Sequence, residues 1–433
     1  MAKIIIVWGL WGPYHCGRLE AFRKLGQSEG HEVVGVSLFS GSRVNKWRAG
    51  NLPEGVVHFD LGQDESRLPV FRTGTILSLP KKLCADVALL PSYYHWSLVL
   101  NLGVRLAGGR VVMMNETHGG TAKARGFKAV LKRAVVSRFD AALVGGQPQM
   151  RYFASLGIPP EKIFPGYDAV DNDYFSRKAD EVRAHEAEFR RKYELPEHYF
   201  LSVGRFVGKK NLGTLIQAYR KFLEVSSNCQ THLALVGSGE EEPRLRRLCS
   251  ELNLPVCDHS ASPAPAAPRC APIRTPAVHF YGFRQIEENP IFYALADAFI
   301  LPSLWEEWGL VVNEAMASGL PVVVSEAAGC AEDLLEPGCP AGASLEERTW
   351  IGQYGLAGKL RLNGLVFNPH SVNELTRSLQ IIERSSNLRA LMGAESRRIV
   401  EKCSCRNFAV NALRTVRVAM GERPFKIQAQ AAG

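Results

Sequence analysis

Short runs rich in β-branched residues recur along the chain, with helix-length segments between them. In the first half they are KIIIVW, EVVGVSLF, DVALLP, RVVMMNE and AALVGG; in the second, YFLSVGR, HLALVG, VHFYG, AFILPS and PVVVSE. Nearly unbroken apolarity suits strands covered on both faces, and strand–helix alternation implies parallel crossovers with helices lying on the sheet. This pattern predicts an α/β chain of doubly wound parallel sheets. Helices are predicted near Arg18–Gly26 and over Thr121–Ser137, Leu212–Val225, Glu241–Leu252, Ile291–Leu295 and Leu310–Ser318. At roughly 100–200 residues per domain, 433 residues accommodate two such units in tandem. Their join is predicted in the charged segment Ser176–Leu195, giving domains over 1–185 and 186–405. A helix over 406–425 is expected to return to the first domain, and the tail 426–433 to be disordered. Two stretches read as insertions: the Pro/Ala-rich Ser260–Ala277, expected to be a surface loop, and the milder Gly338–Leu362.

A hydrophobic share of 46% excludes a mainly disordered or low-complexity chain. The ten cysteines are scattered without a CxxC pair, which suggests free thiols in a reducing compartment rather than a disulfide framework. The opening MAKIIIVWGLWG reads as a first strand rather than a leader, and no apolar run approaches the ~20 residues that cross a bilayer. A cytoplasmic protein is expected. The net charge of +9 lies wholly in residues 1–150, where 19 Lys+Arg face 10 Asp+Glu (19 − 10 = 9). Lys123, Arg125, Lys128, Lys132, Arg133 and Arg138 follow one another with no acid between them. Such a stretch is either a solvated helix face or a surface for an anionic partner. Apart from Phe127 it lacks the interleaved aromatics of a nucleic-acid site, so an acceptor phosphate or peripheral contact with an anionic inner membrane face fits better.

Two windows carry chemistry. In LPSLWEEWGLVVNEAMASGLP (301–321) a buried strand ends, a loop bears Glu306 and Glu307, and a helix opens at Gly309. Ligands of open parallel sheets bind beyond the strands' carboxyl ends, where helix N-termini offer unpaired N–H groups. The amides of Gly309, Leu310 and Val311 are thus placed to hold phosphate. Glu314, farther along the helix, can accept from vicinal hydroxyls such as those of a ribose, and Glu306 from a second hydroxylated group. The competing reading is that Glu306 and Glu307 only complement the helix dipole. In YFLSVGRFVGKKNL (199–212) another strand runs into Gly204 and Arg205, followed by Lys209, Lys210 and a helix start. Fixed cations there suit a departing diphosphate, with Arg gripping oxygens bidentately and Lys acting as a point charge.

In order and spacing, GRF-VGKKN, LVGSGEEEPRL, VHFYGF, ADAFILPS-LWEEWGLVVNEAMASGLPVVVS and NGLVF resemble the retaining glycosyltransferases of family 4, with the GT-B fold. The resemblance covers about residues 1–420 and is strongest from 198 to 370. It implies two Rossmann-like domains facing a central cleft. It also implies a metal-independent transfer of sugar from a nucleoside-diphosphate sugar, the co-substrate, to an acceptor hydroxyl, with no further cofactor. Residue by residue, Arg205 and Lys210 would bind the diphosphate, Glu314 the ribose and Glu306 the transferred sugar. Gly237 and Gly239 would lie near the nucleotide, and the loop from Gly329 would cover the sugar. Gly12, in the loop Gly9–Gly17, would approach the donor phosphate, and His118 the reacting sugar; His15 reads as structural. The chain departs from the family at Asp168–Asp171, where Asn-Gly-Val-Asp is usual, and at AAGCAE, where a double glycine is usual.

Other classes fit less well. A glycoside hydrolase pairing Glu306 with Glu314 leaves the cation sites without purpose. VWGLWGPYHCG does not match the G-x-G-x-x-G of a nicotinamide dehydrogenase. A nucleotide-sugar epimerase of the same fold, or a non-catalytic binding protein retaining it, stays open. No His/Cys cluster with metal-ligand spacing stands out.

Overall fold

The structure, a computed structural model, describes residues 1–40, 52–62, 72–91, 95–122, 126–226, 229–260 and 275–422. The chain divides into two units. Unit 1 comprises Met1–Val170 with Cys403–Gly433, and unit 2 comprises Asp171–Lys402.

Unit 1 is one parallel sheet. Its strands are β1 (Lys3–Trp8), β2 (Glu32–Ser37), β3 (Val56–His58), β4 (Val87–Pro91), β5 (Arg110–Asn115), β6 (Ala141–Val144) and β7 (Ile163–Phe164), ordered β3-β2-β1-β4-β5-β6-β7. The order reverses between β1 and β4. Ile4 and Ile6 face one core layer while Ile5 and Val7 face another, so helices cover both faces. The C-terminal helix Cys405–Ala419 packs through Phe408, Ala412 and Val416 on the layer that also holds Leu19 and Phe22.

Unit 2 carries β8 (Tyr199–Val203), β9 (His232–Val236), β10 (Val256–Asp258), β11 (Val278–Phe280), β12 (Ala298–Leu301), β13 (Val322–Ser325), β14 (Leu360–Arg361) and β15 (Gly364–Phe367). Their order is β10-β11-β9-β8-β12-β13-β15-β14, parallel except for β14 against β15. Here the reversal falls between β8 and β12.

The join differs from the sequence reading. Unit 2 begins at Asp171, whose carboxylate accepts from the amide of Tyr174 and caps the helix Asn172–Ala184. That helix packs on Asn289–Leu295 and Leu310–Ala317 rather than ending the first domain. The strands β3, β7, β10, β14 and β15 were not anticipated; the first four are only two or three residues long and carry no clear period-two signal, and β15 (Gly364–Phe367) follows an irregular stretch. The helix predicted near Arg18 opens at Pro13, and that predicted from Thr121 runs over Phe127–Val136. The excursion at 338–362 contains the helix Leu345–Gln353, capped by Ser344 and anchored in the core by Trp350 and Ile351. Residues 261–274 of the Pro/Ala-rich segment and the tail 426–433 lie outside the described residues. The nine described cysteines form no disulfide, and no described helix is long and apolar enough to cross a membrane.

Candidate active site

The reversal between β8 and β12 brings together the two windows singled out above. Lys209 and Lys210 follow β8, and Ser303, Glu306 and Glu307 follow β12. The loops are tied by backbone, the amide of Leu304 donating to the carbonyl of Lys209 at 2.8 Å. Asn211 reinforces the tie. It takes a left-handed conformation (φ 55°), which asparagine tolerates better than most residues, and its amide nitrogen donates to the carbonyls of Pro302 (3.1 Å) and Pro369 (2.9 Å).

Glu306, only 7% exposed, is the centre of this cluster. Lys209 donates to its Oε1 (3.0 Å) and to Oε2 of Glu307 (2.7 Å), and Lys210 donates to its Oε2. The Ser303 hydroxyl lies 3.3 Å from the same oxygen. Burial alone would raise the Glu306 carboxyl, but the Lys210 and Lys209 ammoniums outweigh it and hold the group below the usual carboxylate range. Burial would likewise lower Lys209, and Glu306 and Glu307 reverse that, keeping it above the usual lysine range. The site thus sets two lysines against two glutamates, and ion pairing outweighs burial at Glu306 and Lys209.

Gly309 caps the helix Leu310–Ala317 at φ 107°, and a Cβ there would lie 3.0 Å from the Leu301 side chain. The left-handed conformation favours glycine here, and a side chain would also press on Leu301. The first-turn amides, Leu310 and Val311 among them, have no intrahelical acceptor. The loop predicted to cover a sugar is joined to the Glu306 loop: Glu306 bridges Ala328, and the amide of Gly329 donates to the carbonyl of Glu306 at 3.0 Å. Arg205 is exposed and lines a small hollow with Gly204, Lys210, Leu301 and Pro302.

Glu314 is placed differently from an open ligand-binding carboxylate. It is fully buried, and its Oε2 accepts from the Tyr293 hydroxyl at 2.8 Å, with the Asn289 amide at 3.5 Å. These bonds fasten its helix to Asn289–Leu295. Gly237 and Gly239 have a packing reason that spacing did not disclose. A Cβ on Gly237 would fall on the carbonyl oxygen of Gly204, and one on Gly239 on that of Phe206. Sequence reasoning named Lys209 without a partner and missed Ser303, Asn211, Tyr293 and Asn289. Asn211 alone carried a local signal, as a capping type directly before a helix.

Gly12 and His118 belong to unit 1. The amide of Gly12, the cap of the helix Pro13–Ser28, donates to His15 Nδ1 at 2.9 Å, and the His15 ring stacks on Trp8 with centroids 4.3 Å apart. Burial, then the nearby Arg18, holds His15 well below the usual histidine range. His118 is buried after β5, and its Nδ1 accepts from the amide of Gly120 at 3.2 Å, so the neutral ring carries its hydrogen on Nε2. At the divergent turn, Asp168 is buried. Its carboxyl is pushed well above the usual range by burial, then by Glu116, with Arg18 acting the other way.

A family model described as Glycosyl transferases group 1 matches residues 197–349, the stretch that builds this cluster. Residues 197–349 are thus similar to the group 1 glycosyltransferases. The chain is 28% identical over 241 residues to a GDP-mannose-dependent alpha-(1-6)-phosphatidylinositol monomannoside mannosyltransferase of Mycobacterium tuberculosis, covering 53% of this chain and 55% of the relative. It is 28% identical over 188 residues to the O-antigen chain mannosyltransferase B of Escherichia coli, covering 43% of each. Across the curated relatives the matches span from 21% to 55% of the relative's own length. Likeness to solved structures is more extensive. A glycosyltransferase from Rickettsia africae aligns over 97% of this chain and 99% of its own at a TM-score of 0.70 and 14% identity. Anabaena HepE in complex with UDP aligns over 96% and 99% at 0.67 and 15%. These likenesses establish the fold, which is GT-B, and the matched stretch 197–349 lies within it.

Proposed function

We propose that the protein is a retaining glycosyltransferase that moves a sugar from a nucleoside-diphosphate sugar to an acceptor hydroxyl, with fixed cations in place of a metal at the donor site. The observation that carries this reading is the Lys209–Glu306–Lys210 cluster beside a glycine-capped helix at the β8/β12 reversal, within the group 1 segment. Names among the relatives and neighbours support the donor class: GDP-mannose for the mycobacterial mannosyltransferase and UDP for HepE.

In this mechanism the diphosphate takes over Lys210, with Arg205 and the amides of Gly309, Leu310 and Val311 completing its grip. Glu306, released from one ammonium but still facing Lys209, accepts from a sugar hydroxyl. The glycosyl–phosphate bond loosens toward an oxocarbenium ion while the diphosphate stays pinned on one face. The acceptor hydroxyl attacks from that same face, and a phosphate oxygen takes its proton, so the anomeric configuration is kept. Glu314 serves the ribose once one of its buried hydrogen bonds is exchanged. His118 is assigned to the reacting sugar, with its Nε2–H as donor.

A thermal-shift panel of UDP, GDP, ADP and dTDP, with and without added Mg2+ or Mn2+, tests the donor site. One nucleotide is expected to raise the melting temperature without either metal, and Lys210→Ala to abolish that rise. If all four leave the wild type unmoved, the reading falls. With a donor and acceptor in hand, NMR of the product's anomeric centre tests retention directly.

The helix Phe127–Val136 supports an anionic or lipid-linked acceptor. It exposes Phe127 (80%), Val130 (65%) and Leu131 (56%) beside Lys128 and Arg133, while Lys132 lies 4.9 Å over the Tyr152 ring. Lys123 and Arg125 of the same basic run lie outside the described residues. Apolar side chains beside cations suit the interface of an anionic bilayer. Charge reversal at Lys128 and Arg133 should weaken binding to phosphatidylglycerol vesicles at low salt; unchanged binding would remove this part of the proposal.

A further inference from the structure

Away from the Lys209–Glu306–Lys210 cluster, at the β10 edge of the unit 2 sheet, three potential metal ligands converge. Cys257 on β10, His259 just beyond it and His279 on β11 are buried, and their ligating atoms all lie within 4.8 Å of one another. The parallel register sets Cys257 opposite His279. Val278 and Phe280, on either side of His279, face the core, so the alternation of β11 turns His279 to the opposite face.

The hydrogen bonds around the two rings decide what lies between them. The amide of Ala277 points at Nδ1 of His232 (3.2 Å), so that nitrogen is a lone pair. His279 Nε2 lies 2.9 Å from it and must carry the hydrogen. His259 Nδ1 lies 2.9 Å from Oε2 of Glu194 and carries its hydrogen toward that carboxylate. With both outer nitrogens protonated, the neutral rings hold lone pairs on their inner nitrogens, His259 Nε2 and His279 Nδ1. Those two atoms face each other at 3.0 Å, with the rings nearly parallel at 5°. Two lone pairs at that distance repel unless something positive joins them. Zn–N bonds of roughly 2.0–2.1 Å place two nitrogen ligands a little over 3 Å apart, and here a sulfur lies alongside.

We propose that Cys257, His259 and His279 bind a divalent transition-metal ion of the zinc class. Glu194 and His232 are the outer partners that fix each imidazole in its ligating tautomer. A carboxylate behind a ligating histidine is the usual support of a zinc site. Glu194 is itself anchored: it ends its helix in the left-handed region, and its carbonyl accepts from the Tyr281 hydroxyl at 3.0 Å. Arg284 donates to the carbonyl of His259 at 2.9 Å and fixes that backbone. Two ligands precede the Pro/Ala-rich segment and one follows it, so the ion would staple the two ends of that segment and hold the edge strand β10 on the sheet. This is a structural role, independent of the donor-site chemistry.

The test uses the full-length protein. After incubation with excess Zn2+ and gel filtration, the wild type should retain about one ion per chain. Titration of metal-free protein with Co2+ should give the intense visible bands of a tetrahedral site and a thiolate-to-cobalt charge-transfer band. Cys257→Ser should lose that band and bind at least about tenfold more weakly. Glu194→Gln keeps all three ligands, so it should retain the band while weakening affinity by about 10–100-fold. Only trace metal on wild-type protein with a native circular-dichroism spectrum would overturn the proposal, leaving a shared proton between the rings. A charge-transfer band surviving in Cys257→Ser would overturn it equally, because the thiolate would then lie elsewhere.

Discussion

The two sheets reverse their strand order at comparable places, β1/β4 in unit 1 and β8/β12 in unit 2, yet the loops leaving the central strands are opposite in character. After β1 two polar groups answer each other without a fixed charge between them. The Gly12 amide is taken by His15, whose ring is stacked on Trp8 and kept uncharged by burial. After β8 and β12 the chain places two lysines and two glutamates, each with a counter-charge within hydrogen-bonding distance, and this pairing outweighs burial at Glu306 and Lys209. One architecture thus supplies one reversal point built for rigidity and one holding exchangeable charge. Under the proposed function, an arriving diphosphate would displace a carboxylate from a lysine. It can gain little from an amide already committed to a histidine.

The sharpest way to break this contrast is to remove charge at β8/β12. Lys210→Ala or Glu306→Gln should lower transfer by about 10²–10³-fold, the cost of losing one preorganised electrostatic partner, roughly 2.7–4 kcal/mol, while the melting temperature stays near wild type. Glu314→Ala should lower transfer at least about tenfold. If His15→Asn lowers transfer as much as Lys210→Ala, the contrast fails.

Next in size is the glycine scaffold beneath the cations. Gly237→Ala introduces a Cβ onto the Gly204 carbonyl at φ 142° and should destabilise the fold by about 3 kcal/mol. Gly208→Ala, with nothing within 4 Å of its Cβ and no left-handed φ, should stay within about 0.5 kcal/mol. Chemical denaturation of the pair reads the difference. Tyr293→Phe is smaller again. It strips the buried Glu314 carboxylate of its 2.8 Å donor, and should cost about 1–2 kcal/mol.

The smallest effect concerns pH in unit 1. Folded His15 has a lowered pKa, whereas in the unfolded chain it titrates near its ordinary value of about 6.5. Above that pH its contribution to stability is complete. As pH falls from there toward the lowered folded value, the unfolded state binds a proton that the folded state refuses, and stability is lost by up to ~1.4 kcal/mol per pH unit. Denaturant melts at pH 8, 6 and 5 should show that slope in the wild type and a shallower one in His15→Asn.

Much of this was legible in the chain. The ten anticipated strands announced themselves because a strand covered on both faces must be apolar almost throughout, and the helix Leu212–Val225 was bounded by its own amphipathic pattern. The two chemical windows stood out because cations and carboxylates beside helix starts are conspicuous at strand ends. The short strands were not legible, since two or three residues such as Ile163–Phe164 carry no period. Nor was the join at Asp171, where a capping aspartate looks the same in either unit.

Sequence by itself determined the doubly wound architecture and the identity of the charged groups, because hydrophobic periodicity and helix capping act over a few neighbouring residues. Tertiary structure alone decided which charges meet. Lys209 and Glu306 become partners only because β8 and β12 are adjacent strands, and Glu314 is sealed only because Tyr293 packs over it. Likewise, Cys257, His259 and His279 form a cluster only when parallel pairing sets β10 against β11. Such contacts join residues far apart in the chain, so they depend on strand order and register, which local patterns do not encode.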